Sequence, residues 1–389
     1  MNYEKLLSQR AQNLKPSPIR RFFDLAETMD NVISLGVGEP DFRTPWPIRS
    51  AAINTLERQP IFYGANSGLM ELRKEISHYM ERRFDLSYAP DNEILVTVGG
   101  SEAVDLTVRT LLNPGDEVLI TEPCFVCYAP LVELADGVPV SLPTYEKNEF
   151  RLTAEDLKAK ITPKTKLLML SYPNNPTGAI MRREDYEEIV KVLRDTDIFV
   201  LSDEIYCAMT YGTKHASIAE FEGMRERTIV VNGFSKTFAM TGWRLGWMAA
   251  PAPIIAEARK IHQYGIMCAP MISQRAAIEA LRHCDAEVAH MTEEYDHRRR
   301  FLLERFAEMG LPCFTAQGAF YLFPSIAPTG LDCETFCERL LQEERVAVVP
   351  GSAFGETGAN NIRISYAYSL KHLAEAANRI ERFINKPSV

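Results

Sequence analysis

Between about residues 90 and 250 the hydrophobic pattern repeats one unit: a short apolar run bounded by Gly, Pro or Asp, then a stretch with apolar residues at helical spacing. Several runs are apolar at consecutive positions rather than alternating, which is the pattern of strands covered on both faces. The candidate strands are 94–98, 118–120, 139–142, 167–170, 199–201, 229–231 and 245–249. Strands alternating with helices predict an α/β fold in which helices cover one seven-stranded, mostly parallel sheet. Between the strands, Thr153 with Asp156 three residues on has the spacing of a helix capping box, and Ile189, Val190, Val192 and Leu193 mark the inner face of another helix.

The last hundred residues follow a different pattern. A charged helix over 286–309, apolar segments at 319–323 and 346–349, and a terminal helix after Ser369 with Leu373, Ala377, Ile380 and Ile384 on one face predict a smaller α+β domain. The chain is thus expected to divide into an N-terminal segment (1–45, carrying Pro16 and Pro18) that packs on the small domain, a large domain (46–285) and the small C-terminal domain (286–389). Internal repeats and low-complexity tracts are not evident.

Composition narrows the classes of function. The 389 residues are 46% hydrophobic and 24% charged, an ordinary globular balance, and the net charge of −9 is spread along the chain. That charge argues against nucleic acid or an anionic membrane as main partner. The first residues lack a secretory signal and the most apolar stretch, 247–256, is broken by Pro251 and Pro253, so a cytoplasmic protein is expected. Of eight cysteines only Cys124 and Cys127 form a Cys-x-x-Cys pair, without a second pair or a His at zinc spacing, and buried reduced thiols are the expectation.

Four local patterns follow candidate strands, where open α/β sheets bind ligands. Gly99-Gly100-Ser101-Glu102 opens a helix whose free N–H groups suit a phosphate, although a plain strand-to-helix turn has the same look. Nucleotide-type glycine motifs are missing there. Tyr172-Pro173-Asn174-Asn175-Pro176-Thr177-Gly178 is stiff enough to aim an Asn amide at a ligand, or is a rigid turn only. Asp203, in Ser202-Asp203-Glu204-Ile205-Tyr206, ends an apolar run, so it is either paired with an Arg or reserved for a cationic ligand atom. Finally, Ser235-Lys236 lies eight residues ahead of Arg244. A lysine partly withdrawn from water near other cations becomes a nucleophilic amine able to form a Schiff base, and Ser235 and Arg244 would help neutralise a phosphate.

With these residues in place, the chain resembles the class I (class I/II) aminotransferases, pyridoxal-phosphate enzymes of fold type I. Gly36-Val37-Gly38-Glu39-Pro40-Asp41-Phe42, Tyr63 with Gly68 and Leu72-Arg73, Asn175-Pro176-Thr177-Gly178, Asp203-Glu204-Ile205-Tyr206, Ser235-Lys236, and Arg363 with Ser365 match that family in order, over nearly the whole chain. The resemblance implies that Lys236 holds pyridoxal 5′-phosphate as a Schiff base and then shuttles a proton. It places Asp203 at the pyridine nitrogen, so that the ring accepts the electron pair of the broken Cα–H bond, and Tyr206 and Asn175 at the phenolic oxygen. Phosphate would be held at Gly100, Ser101, Glu102, Ser235 and Arg244, and by Tyr63 reaching from a second subunit, which implies a homodimer with shared active sites. Phe125 stands where relatives stack an aromatic ring on the pyridine, here Phe in place of the frequent Trp. Arg363 would clamp the substrate α-carboxylate, with Gly38 and Asn175 as further substrate contacts.

The expected function is transfer of an amino group between an L-amino acid of aromatic, aspartate or N-acetyl-diaminopimelate type and a 2-oxo acid such as 2-oxoglutarate, in a ping-pong cycle. The alternative is a carbon–sulfur β-lyase of the same fold, since the same lysine, Asp and Arg serve elimination. A regulator using the fold only to bind cofactor is disfavoured, because every catalytic position is filled and no basic extension precedes residues 3–14. Arg20, Arg21, Arg43 and Lys147 are candidates for reading an acidic side chain, with surface charge as the simpler role.

Overall fold

The computed structural model describes residues 1–16, 19 and 29–386. The strands are β1 (Ile33–Ser34), β2 (Ile94–Thr97), β3 (Glu117–Glu122), β4 (Val138–Pro143), β5 (Thr165–Ser171), β6 (Phe199–Asp203), β7 (Thr228–Gly233), β8 (Gly246–Ala249), β9 (Tyr321–Leu322), β10 (Val346–Ala347), β11 (Val349–Pro350) and β12 (Ile362–Ser365). Strands β2 to β8 form one seven-stranded sheet in the order β2-β8-β7-β6-β5-β3-β4, so each of the seven apolar runs is a strand of it. Only β8 opposes the others, pairing antiparallel with both β2 and β7. The C-terminal ends of β2, β3, β5, β6 and β7 therefore share one edge of the sheet with the start of β8. Connectivity alone thereby brings the residues after five strands, and those just before β8, to one place.

Helices cover both faces, which is why β2 and β7 are buried at every position. Truncating such a side chain, as in Ile229→Ala, costs about 2–5 kcal/mol through lost transfer energy and the cavity left behind. The caps are chemical. Thr153 Oγ1 accepts the Asp156 N–H at 3.2 Å, Asp332 Oδ1 accepts from Glu334 and Thr335, and Ser369 Oγ accepts from His372.

The C-terminal region has its own three-stranded antiparallel sheet, β11-β12-β9, flanked by helices Asp285–Glu308, Cys333–Glu344 and Leu370–Ile384. The 346–349 run is two short strands. The first, β10, pairs in parallel with β1 near the N-terminus, and a two-residue strand such as β1 leaves no periodicity to read in sequence. Ser365 N–H donates to Leu35 O at 2.8 Å, tying the N-terminal segment to β12 beside Arg363.

Candidate active site

A cleft of about 600 Å³ opens at the shared strand edge. Of the residues singled out in sequence, Gly38, Gly100, Ser101, Phe125, Asn175, Asp203, Tyr206, Ser235, Lys236, Arg244 and Arg363 line it. Two do not. The Glu102 carboxylate turns back, accepting the Val98 N–H and the His262 Nδ1–H (2.7 Å), so at most its backbone amide faces the cleft. Tyr63 is 85% exposed on the outer surface, so within one chain it contributes nothing to this cleft. Arg43 and Lys147 are exposed and lie outside the cleft lining, and Arg20 and Arg21 lie outside the described residues.

Lys236 sits in the single-turn helix Phe234–Thr237 that follows Gly233 at the end of β7. Its Nζ donates to Gly38 O at 2.6 Å and lies 6.0 Å from the ring centroids of Tyr206 and Phe320. Burial lowers its proton affinity first, the Arg363 and Arg244 cations lower it further, and Glu39 and Asp203 oppose them, leaving a pKa of about 8. An amine with that value is nucleophilic more than two pH units below an ordinary lysine.

Asp203 ends β6 and, among the described residues, forms no bond to a guanidinium. Tyr128 OH donates to its Oδ2 at 2.7 Å and the Ile205 N–H to its Oδ1 at 3.2 Å, and Tyr128 OH also contacts Ser171 Oγ at 3.0 Å. Burial nevertheless pushes its carboxyl up from the usual range, against both hydrogen bonds. A buried carboxyl so placed has unused acceptor capacity for a cationic N–H in the cleft.

At the opposite end, the buried Arg363 of β12 donates through Nη1 to Asn175 Oδ1 (2.9 Å) and through Nη2 to Gly36 O, and stacks on the rings of Tyr321 (4.7 Å) and Phe354 (4.8 Å). Its Nε is buried and, among the described residues, has no hydrogen-bond partner. Asn175 can serve here because Asn174 builds the turn instead, its amide bonding Pro123 O and Ser171 O while its Oδ1 accepts from Thr177.

The phosphate-type turn is equally specific. Gly99 has φ +80°, and a side chain there would meet Arg244 Nη2 at 2.8 Å; a side chain on Gly246 would strike Gly99 C at the same distance. The N-cap residue of helix Gly100–Leu111 is Gly99, which offers no side-chain cap, and the helix start lines the cleft at Gly100 and Ser101 with Ser235 and Arg244 around it. Uncapped amides, a hydroxyl and a guanidinium at one end, a buried carboxyl in the middle and an amine beside it fit pyridoxal 5′-phosphate.

Sequence reasoning missed Tyr128 and Tyr321. Tyr128 OH supports Asp203, and Tyr321 OH lies 2.8 Å from Tyr206 OH. Tyr128 closes a Pro-x-Phe-x-x-Tyr segment (123–128), but its role, like that of Tyr321, comes from a partner distant in sequence.

Comparison with known proteins agrees with this geometry. Residues 30–380 match the family described as aminotransferase class I and II. A putative aminotransferase YugH of Bacillus subtilis is 51% identical over 380 residues, covering 98% of both chains, and an aspartate aminotransferase of Pyrococcus abyssi is 47% identical with the same coverage. The crystal structure of an aromatic aminotransferase from Pyrococcus horikoshii superposes with a TM-score of 0.89 at 46% identity, over 93% of this chain and 98% of that one. The chain is an aminotransferase of the pyridoxal-phosphate-dependent class I and II family, with the fold type I architecture.

Proposed function

We propose that this enzyme exchanges the amino group of an L-amino acid of aromatic, aspartate or N-acetyl-diaminopimelate type with a 2-oxo acid such as 2-oxoglutarate, in a ping-pong cycle run by Lys236. The observation that carries the reading is that one cleft is lined by a lysine of lowered proton affinity, a buried carboxyl and a buried Arg. When bound, pyridoxal phosphate supplies an aldehyde for the Lys236 amine and a ring that accepts the electrons of the broken Cα–H bond.

The chain's own groups do the rest. Arg363 binds the substrate α-carboxylate, its plane fixed by Asn175, Gly36 and the Tyr321 ring, so the substrate's orientation is set before reaction. Lys236 Nζ takes and returns the proton at Cα; with a pKa of about 8 it changes protonation state near neutral pH. Asp203, kept in place by Tyr128, would hold the ring-nitrogen proton, and Tyr206 and Asn175 would donate to the phenolic oxygen. Gly100, Ser101, Ser235 and Arg244, which line one part of the cleft, would bind the phosphate, and Phe125 would stack on the ring. Tyr63, exposed here, completes the phosphate site from a second copy of the chain, giving a homodimer with shared sites.

The division into a large body (46–285) and a smaller one (286–389) carrying Arg363 belongs to the same reading. So does a cytoplasmic location, supported in that no helix among the described residues is long and apolar enough to cross a membrane. A panel of amino donors with 2-oxoglutarate, read by glutamate formation, tests the assignment. Glutamate from at least one donor of the three types supports it. Pyruvate and ammonia from cystathionine without acceptor, and no glutamate from any donor, would replace it with β-elimination.

A further inference from the structure

Beneath the phosphate-type turn a buried imidazole meets a mostly buried carboxylate, and the mechanism uses neither. Glu102, in the first turn of helix Gly100–Leu111, accepts the Val98 N–H through Oε2 and the His262 Nδ1–H through Oε1 at 2.7 Å. His262 belongs to helix Ala252–Gly265, which packs along the first, and it is only 1% exposed. Its Nε2 is buried and has no hydrogen-bond partner among the described residues.

An imidazole kept in the core with one nitrogen unsatisfied is costly, by about 1–3 kcal/mol, so its compensation lies in the bond it makes to Glu102. That bond fixes the rotamer of Glu102, and Glu102 fixes the backbone at Val98, the first residue beyond β2. On the other side of the turn Thr97 Oγ1 donates to Gly99 O at 2.9 Å. Held at both points, the backbone at 98–99 leaves the N–H groups of Gly100 and Ser101 as the ones turned to the cleft.

We propose that Glu102 and His262 form a positioning brace for the phosphate turn, setting the affinity for the cofactor's phosphate without touching it. This rests on the reading that residues 99–101 receive that phosphate. Freed of His262, the carboxylate can leave Val98 and swing toward the cleft, where its charge opposes the phosphate and the amides lose their alignment.

The test measures, by fluorescence, the affinity of the cofactor-free full-length protein for pyridoxal phosphate and for pyridoxal, which lacks the phosphate. The preference for the phosphorylated form is the readout, because general loosening of the fold lowers both affinities together. H262L and E102A are expected to reduce that preference roughly tenfold with pyridoxal binding little changed, the size of one lost charge-assisted hydrogen bond. H262N, whose amide nitrogen stands near the place of Nδ1, should restore it to within about threefold. If E102A fails to fold, E102Q, which keeps an acceptor for Val98 but loses the charge, should show a partial loss. R244Q reports on the underlying reading. An unchanged preference in H262L and in both Glu102 variants, with R244Q reducing it, overturns the brace alone. If R244Q also leaves it unchanged, the phosphate is bound elsewhere and both fall.

Discussion

The two ends of the cleft are built in different ways. At the cofactor end every group hangs from a strand of one sheet: Gly100 and Ser101 after β2, Asp203 at the end of β6, Lys236 after β7 and Arg244 before β8. Their relative positions are fixed by backbone pairing in that sheet. At the substrate end Arg363 comes from β12, Tyr321 from β9 and Gly36 from the segment after β1. These are held to the first set by side-chain bonds such as Arg363–Asn175 and Tyr206–Tyr321 and by the Lys236–Gly38 contact. The cofactor end is therefore a rigid scaffold property, whereas the substrate end is an assembly of cross-links between distant segments.

Substitutions should separate the two ends. The largest effect is expected for Lys236→Ala, which removes both the nucleophilic amine and the proton carrier and should lower turnover by about 10⁴-fold or more in steady-state assays. Asp203→Asn, which keeps the shape but not the charge, should lower kcat by about 10²–10³-fold with KM less affected, since it acts on the reacting ring. Arg363→Leu should lower kcat/KM by about 10²-fold, chiefly through KM and for every amino donor tested alike, with cofactor binding preserved. A matching loss of cofactor from that variant would show that the ends are not separable. Tyr128→Phe should be milder, about tenfold or less in kcat, because one hydrogen bond to Asp203 is lost while the Ile205 amide remains.

The pH dependence of cofactor capture sharpens the same contrast. Only the neutral Lys236 amine reacts, and burial with Arg244 and Arg363 lowers its pKa to about 8. The rate of cofactor uptake by the free protein should thus climb through pH 8 and level off above it, rather than continue rising toward 10.5. In Arg244→Gln the plateau should begin at higher pH, since one cation that lowers the pKa is gone.

The legibility of the sequence follows this division. The seven sheet strands were readable because their apolar runs are continuous and bounded by Gly, Pro or Asp, and the cofactor-end residues were readable because each lies beside a strand terminus. The turn at 172–178 was legible as stiff, but the division of labour, with Asn174 building it and Asn175 serving the cleft, emerges only from the hydrogen bonds. The roles of Tyr128 and Tyr321 and the pairing of β1 with β10 cannot be read from a local pattern, since each depends on a partner distant in sequence. Glu102 was placed in the cleft by its position in a helix-opening turn, and its carboxylate lies instead on His262, which sequence spacing could not foretell.

The central claim is that the amine of Lys236 is the covalent seat of the cofactor. Borohydride reduction of the enzyme saturated with pyridoxal phosphate, followed by peptide mass mapping, tests it most directly. The account predicts one stoichiometric pyridoxyl-phosphate adduct on the peptide carrying Lys236, absent from Lys236→Ala. A stoichiometric adduct on a different lysine, or none at all, would contradict it.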